Sequence, residues 1–205
     1  MIIGICAEVL NSLAIPPEIS SLLILSLLIL VTGGFHEDGL ADTFDGLWGG
    51  NTPEKRLEIM NDSRHGTFGV LALVISILFR WVLLKILFES GFLIGPLVVV
   101  CVISRAAVVP FMSILPSARK KGLASEIGRV PLWSAGFCFI ISLIPIYIFL
   151  GPIGFIPVVI GLFITLPVYF YAKKLLKGQT GDVLGTVQQL TEIGIMLAIV
   201  LYFTG

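Results

Sequence analysis

Charge is what this sequence has least of. Asp, Glu, Lys and Arg make up only 13% of its 205 residues, and histidine occurs twice. Soluble domains are about one-quarter charged, so an ordinary water-soluble globule is excluded. Disorder is excluded as well, because hydrophobic residues reach 57% and disordered segments are poor in them. There is no basic excess: thirteen Lys+Arg balance thirteen Asp+Glu. A nucleic-acid binder would carry a positive surplus, so no nucleic-acid partner is expected. Cysteine is scarce. Cys6, Cys101 and Cys138 are far apart, form no metal or redox spacing, and read as small buried hydrophobes. A secretory signal is not evident either, since the first apolar stretch lacks a basic flank and contains Glu8.

Long apolar sequence is what the chain has in abundance, with a mean hydropathy of +1.05. Apolar runs lie at 19–34, 67–88, 92–115, 132–150, 153–172 and 184–204. As helices they would be ~24–36 Å long, near the ~30 Å hydrocarbon core of a bilayer. The expected fold class is all-α: a polytopic membrane helical bundle of about six to seven transmembrane helices, forming a single integral membrane domain over 1–205. Residues 1–15 are apolar but short, and Pro16-Pro17 breaks them off, so they read as a partial helix.

Three polar segments, 35–66, 116–131 and 173–183, alternate with very short connections. Six spans put all three on one side of the membrane. Ten of the thirteen basic residues fall in them: Lys55, Arg56, Arg64, Arg119, Lys120, Lys121, Arg129, Lys173, Lys174 and Lys177. The positive-inside rule makes that face cytoplasmic, so a multi-pass protein of the cell (inner) membrane with a cytoplasm-facing site is expected.

The chemistry concentrates in the stretch from Gly33 to Gly50. Asp38, Asp42 and Asp45 recur at i, i+4 and i+7, which in a helix is one face. Like charges on one face repel unless a cation sits among them, and carboxylate oxygens suit Mg²⁺, Mn²⁺ or Ca²⁺. Gly39 and Gly46 each follow an Asp; lacking Cβ, they let a phosphate or a second helix come close. Thr52-Pro53 predicts the start of a short surface helix packed down by Leu57 and Met60. Asp62 adds a fourth carboxylate. Arg64 suits bidentate phosphate binding, or serves as a positive-inside anchor. His65 reads as a loop residue, and His36 as a ligand, a proton relay or a helix-end residue.

Inside the apolar runs, Arg105 is expected to face the bundle interior with a partner, either substrate phosphate or an Asp of the acidic segment. Arg80, nearer the end of its run, is expected to snorkel. Asp182, Gly185, Gln189 and Glu192 recur on one helical face, read as lining the site, with polar contact between helices as the alternative. The basic loop with Arg119, Lys120, Lys121 and Arg129 is an orientation signal or a diphosphate contact.

Taken together, these blocks resemble the adenosylcobinamide-GDP ribazoletransferase (cobalamin synthase) family. The resemblance rests on Gly34-Phe-His-Glu-Asp-Gly-Leu-Ala-Asp-Thr-Phe-Asp-Gly46 and Ile59-Met-Asn-Asp-Ser-Arg-His-Gly-Thr-Phe-Gly69. It continues through Ser104-Arg105, Ala118-Arg119 with Gly122, and Thr180-Gly-Asp-Val-Leu-Gly185 leading to Gln188-Gln-Leu-Thr-Glu192. The blocks keep the family's order and cover almost the whole chain. His65 stands where that family is expected to carry an aliphatic residue.

The resemblance implies transfer of the cobinamide-phosphate moiety of adenosylcobinamide-GDP to α-ribazole or its 5′-phosphate, releasing GMP, with Mg²⁺ as cofactor. It implies Asp38, Asp42, Asp45 and Asp62 as metal ligands, and Asp42, Asp45 and Asp182 as the carboxylates in the chemistry. Arg64, Arg105, Arg119, Gly39 and Gly46 would meet the phosphates. The implied partners are both substrates and the lipid bilayer, with a homo-oligomer or a membrane complex with other cobalamin-assembly enzymes as further expectations. Asp42-x-x-Asp45-Gly46 is also similar to the CDP-alcohol phosphotransferases, although Leu47-Trp48 follows the glycine in place of their Ala-Arg. A cation transporter is the alternative from another class.

Overall fold

Two prolines and two glycines bound the first long helix. The computed structural model describes residues 2–119 and 123–203. Helix α1 (Ile2–Ser12) is too short to span a bilayer. Helix α2 (Pro17–Thr32) starts with Pro17 in its first turn, where a missing amide hydrogen costs nothing. It stops at Gly33 and Gly34, with φ of 63° and 72°. That left-handed backbone lets their amides donate to Leu30 O and Ile29 O at 3.1 and 3.0 Å, satisfying the last carbonyls of α2. The chain leaves at 85° to α2 as α3 (Phe35–Gly49). The acidic stretch expected in a polar loop is therefore a helix.

Helix α4 (Pro53–Ile59) begins where Thr52-Pro53 predicts, with Thr52 Oγ1 accepting from Lys55 N at 3.2 Å. Met60 is buried beyond it. Helix α5 (Thr67–Ser90) follows, then α6 (Ile94–Ala106), which continues as α7 (Val108–Ile114). After α8 (Leu123–Ile127) and α9 (Leu132–Leu150) comes a segment containing α10 (Phe155–Leu162) and α11 (Leu166–Tyr171). It ends in a π-helical turn, Ala172–Leu176, before α12 (Gly181–Phe203). Among the described residues the β-structure is one isolated bridge, Ser117 with Gln179.

Five helical stretches are long and apolar enough to cross a membrane: Thr67–Ser90, Ile94–Ile114, Leu132–Leu150, Pro152–Leu176 and Gly181–Phe203. The bent α2–α3 pair makes a sixth if it counts as one span. The chain is a polytopic helical bundle, at the lower end of the expected helix number.

Helix α12 is its axis. Its most apolar 18-residue window is 89% buried, against 17% for α9, yet α9 is the more hydrophobic of the two. The physical reason is the solvent. A lipid-facing helix must be apolar on its exposed side, whereas a helix ringed by protein can carry Gln188, Gln189 and Glu192 if neighbours satisfy them. The main core packs Leu84, Leu87, Leu97, Val99, Ile103, Ile195 and Ile199 around it. A second cluster, with Met60, Phe111, Tyr171, Leu176 and Val187, lies under the polar face.

Helices α3 and α12 touch backbone to backbone at Gly39. A Cβ there would sit 2.8–2.9 Å from Asp182 O and Cα, closer than any side chain tolerates. Thr186 Oγ1 ties the pair by donating to Gly39 O at 3.0 Å. Gly46 likewise gives its space to a protein group, the Met60 side chain. Of the two roles open to these glycines, close packing against a neighbouring protein group is the one the structure shows.

Candidate functional site

The buried arginine is Arg80, not Arg105. Arg80 is 1% exposed. Its Nη1 lies 2.7 Å from Glu37 Oε1 of α3, and its Nη2 lies 2.8 Å from Glu192 Oε1 of α12. Gln189 joins the pair, accepting from Arg80 Nη1 at 3.1 Å and donating to Glu37 Oε1 at 2.9 Å. Gln188 donates to Glu192 Oε2 at 2.7 Å and reaches Ser104 Oγ at 3.3 Å. Arg105 instead is exposed, donating to Cys101 O at 2.9 Å and reaching Ser104 Oγ at 3.5 Å.

Both expectations for these arginines are thus corrected. Arg80 does not snorkel, because two carboxylates inside the bundle compensate its charge. Arg105 does not face the interior, because its side of α6 is open. The signal for Arg80 was present: Gly69, Ala72, Ser76 and Arg80 form a small-and-polar stripe at helical spacing on the buried face of α5. Of the four-residue face on α12, Gln189 and Glu192 bond other helices and Gly185 packs on His36 and Gly39. Only Asp182 reaches the polar cleft described next.

That cleft, of about 410 Å³, opens at the N-terminus of α12 and is lined by Asp38, Asp42, Asp62, His65, Arg119 and Asp182 among others. The pitch of α3 turns Asp38 and Asp42 to one side. Asp182 lines the same cleft from the first turn of α12. Arg119 closes the ring, with Nη2 2.9 Å from Asp182 Oδ2. Its loop is pinned to the start of α12: Ala118 N donates to Gln179 O and Gln179 N to Pro116 O, each at 2.8 Å. Ser117 Oγ donates to Arg119 O at 2.8 Å. Lys120, Lys121 and Gly122 of the same basic loop lie outside the described residues.

His65 is the site residue that sequence reasoning missed. Its Nε2 lies 3.9 Å from Asp38 Oδ1 and its Nδ1 3.7 Å from Asp42 Oδ1. Among the described residues, Asp38, Asp42 and His65 form the group that could hold a metal ion. Its place in the Asp62–Gly69 block was the available cue.

Two of the expected metal ligands are engaged elsewhere. Asp45 is buried and caps α5, accepting from Gly66 N at 2.7 Å through Oδ2 and from Gly69 N at 2.8 Å through Oδ1. The free amides and positive end of a helix hold a carboxylate firmly. Asp45→Ala should therefore destabilise by about 0.5–2 kcal/mol, the range for lost caps. Thermal unfolding in detergent measures this, and an unchanged midpoint would mean the cap is dispensable.

Asp62 is drawn to the rim by Arg64, with Nε–Oδ1 3.1 Å, Nη2–Oδ2 2.9 Å and Arg64 N–Oδ1 3.0 Å. The guanidinium and amide hydrogen bonds hold its carboxyl down at about 2, and the same pairing raises Arg64. Arg64 is itself highly exposed. The expected carboxylate set thus separates by role: Asp38 and Asp42 face Asp182, whereas Asp45 holds a helix end and Asp62 an arginine.

An apolar helical bundle with a cleft of carboxylates and one arginine at its polar end defines a class: a multi-pass membrane protein with a site for a charged ligand. The cobalamin-5-phosphate synthase family model matches residues 1–200. Named relatives agree. A Bradyrhizobium diazoefficiens protein named adenosylcobinamide-GDP ribazoletransferase is 39% identical over 194 residues, 93% of this chain and 74% of the relative. Proteins of the same name from Brucella ovis and Brucella canis are each 35% identical over 211 residues, 98% of this chain and 80% of the relative. No solved structure matches the chain. The chain belongs to the cobalamin-5-phosphate synthase family, which displaces the CDP-alcohol phosphotransferase and transporter readings.

Proposed function

We propose that this chain is a Mg²⁺-dependent transferase that moves the cobinamide-phosphate moiety of adenosylcobinamide-GDP onto α-ribazole or its 5′-phosphate and releases GMP. The observation that carries the reading is the cleft in which Asp38 and Asp42 of α3 confront Asp182 and Arg119. Family membership supplies the substrates through the relatives' names.

The donor set suits the metal. Asp38, Asp42 and Asp182 offer the hard oxygen ligands that Mg²⁺ takes, and carboxylates gathered in one cleft repel one another without a cation. Asp38 and Asp42 would hold it. Bound Mg²⁺ would neutralise the diphosphate and polarise its phosphorus–oxygen bonds.

The remaining steps belong to the protein's own groups. The ribazole hydroxyl forms a bond to the phosphorus that carries the cobinamide arm, and the bridging bond to GMP breaks. Asp182, on the opposite wall, receives the hydroxyl proton. Arg119 neutralises negative charge on the transferred phosphoryl group, as a planar guanidinium beside phosphate oxygens does. Such chemistry relies on positioning and charge rather than covalent help. The Arg80–Glu37–Glu192 network joins α3, α5 and α12, two of which carry the cleft's carboxylates. Lys55, Arg56, Arg64, Arg119, Arg129, Lys173, Lys174 and Lys177 lie in the three polar segments that also carry the cleft residues Asp38, Asp62, Arg119 and Asp182, which supports a cytoplasm-facing site in the inner membrane.

The test is GMP release by the purified protein given adenosylcobinamide-GDP and α-ribazole. GMP should appear only with both substrates, and EDTA should abolish it until Mg²⁺ is restored. GMP formed without the acceptor, or unaffected by EDTA, would overturn the reading.

A further inference from the structure

A second cleft, of about 270 Å³, lies on the other side of the 62–66 turn and shares Asp62 with the acidic cleft. We propose, resting on the transferase reading, that this second cleft is the guanine subsite, with Phe68 and Trp48 as its stacking face and Asp62 and Arg64 as its polar edge.

Size and position favour a single heterocycle. The volume is just under the ~300–1,000 Å³ of pockets for drug-sized ligands. Sharing Asp62 lets one nucleotide put its phosphate in the acidic cleft and its base next door. Phe68 lines the wall, and Trp48 lies against it with ring centroids 5.8 Å apart and planes 30° from parallel. Both rings are exposed, 63% for Trp48 and 47% for Phe68, so a base can stack on this pair without any core being opened.

The edge chemistry selects the base. Guanine presents a carbonyl acceptor beside two N–H donors. Asp62 and Arg64 present a carboxylate acceptor beside guanidinium donors, already aligned by their mutual hydrogen bonds. Adenine carries an amino donor where guanine has its carbonyl and an acceptor where guanine has N1–H, so it mispairs at both places. Asp45 also borders the cleft, but it is buried and fixed by two backbone amides at the start of α5, whereas Asp62 is exposed, is held by an exposed arginine side chain, and carries a single hydrogen bond on Oδ2, so Asp62 is the carboxylate that can still accept. The other small pocket beside the site, about 140 Å³ and lined by Phe35, His36, Met112 and Leu184 among others, has no carboxylate among its lining residues. It offers no carboxylate to the donor edge of guanine.

The test uses the full chain in detergent, with GMP and AMP as probes. Each is measured by equilibrium dialysis and as an inhibitor of turnover. The unaltered protein should bind GMP at least about tenfold more tightly than AMP, the discrimination one bidentate base contact provides. Asp62→Asn should erase that preference. Phe68→Ala should weaken both nucleotides about tenfold, because stacking is indifferent to the base. Turnover with equal GMP and AMP affinity would overturn the subsite and leave the transferase standing. Absent turnover in the unaltered protein would instead remove the transferase reading. GMP affinity unchanged in Phe68→Ala, with poorer membrane retention, would make the aromatic pair an interfacial anchor and overturn the proposal. An Asp62→Asn protein that keeps its GMP preference but loses turnover would return Asp62 to the phosphate chemistry and overturn it equally.

Discussion

Asp42→Asn should leave the solubilised bundle folded and reduce GMP release by more than about 100-fold. Removing a group that merely orients a metal ligand already costs about 10–100-fold, and Asp42 stands in the cleft itself. Its side chain is half-buried, beside Asp38 and facing Asp182, with His65 Nδ1 3.7 Å from Oδ1. The amide has nearly the same shape and one fewer negative charge, so packing of α3 against α12 is preserved. Folding is checked by a monodisperse elution profile and an unchanged melting midpoint. Turnover within a few-fold of the unaltered protein would show that Asp42 holds nothing in the reaction. A large loss together with collapsed folding would be uninformative for most aspartates. Here the comparison with Asp45→Ala separates the two effects, since Asp45 is the carboxylate bound to backbone amides.

Arg80→Met should destabilise the bundle by about 3–5 kcal/mol, the cost of leaving buried charges without their partner. Glu37 and Glu192 would both stay buried with no cation between them. Arg105→Gln, by contrast, removes a guanidinium that is exposed and bonded to a carbonyl, and its effect on stability should fall within about 0.5 kcal/mol. The decisive variant is the triple one, Arg80→Met with Glu37→Gln and Glu192→Gln. Neutralising all three should recover most of the loss, because replacing an entire buried ion network is close to neutral. Thermal unfolding in one detergent reads all three proteins. A triple variant as unstable as the single one would show that Arg80 acts through shape and not charge.

Much of the bundle was legible in order. Apolar runs of spanning length, the Pro16-Pro17 break and the Thr52-Pro53 helix start all depend on neighbours in sequence, and each appears where local chemistry places it. The helical spacing of Asp38 and Asp42 was legible for the same reason. What local pattern does not show is that the polar segment after Gly33-Gly34 begins as a helix: two successive left-handed residues turn one helix directly into the next.

What the sequence by itself determined is a membrane-spanning helical chain with its charge gathered at one face, because hydrophobic length and charge asymmetry follow from composition along a line. Only the tertiary structure decided which charges meet. Asp45 and Asp62 have the same chemistry as Asp42, but one lies under a helix N-terminus and the other beside an arginine. Arg80 and Arg105 differ in which side of their helices faces α12. Burial and partnership depend on residues dozens of positions away, and no local pattern encodes the distance between Glu37, Arg80 and Glu192.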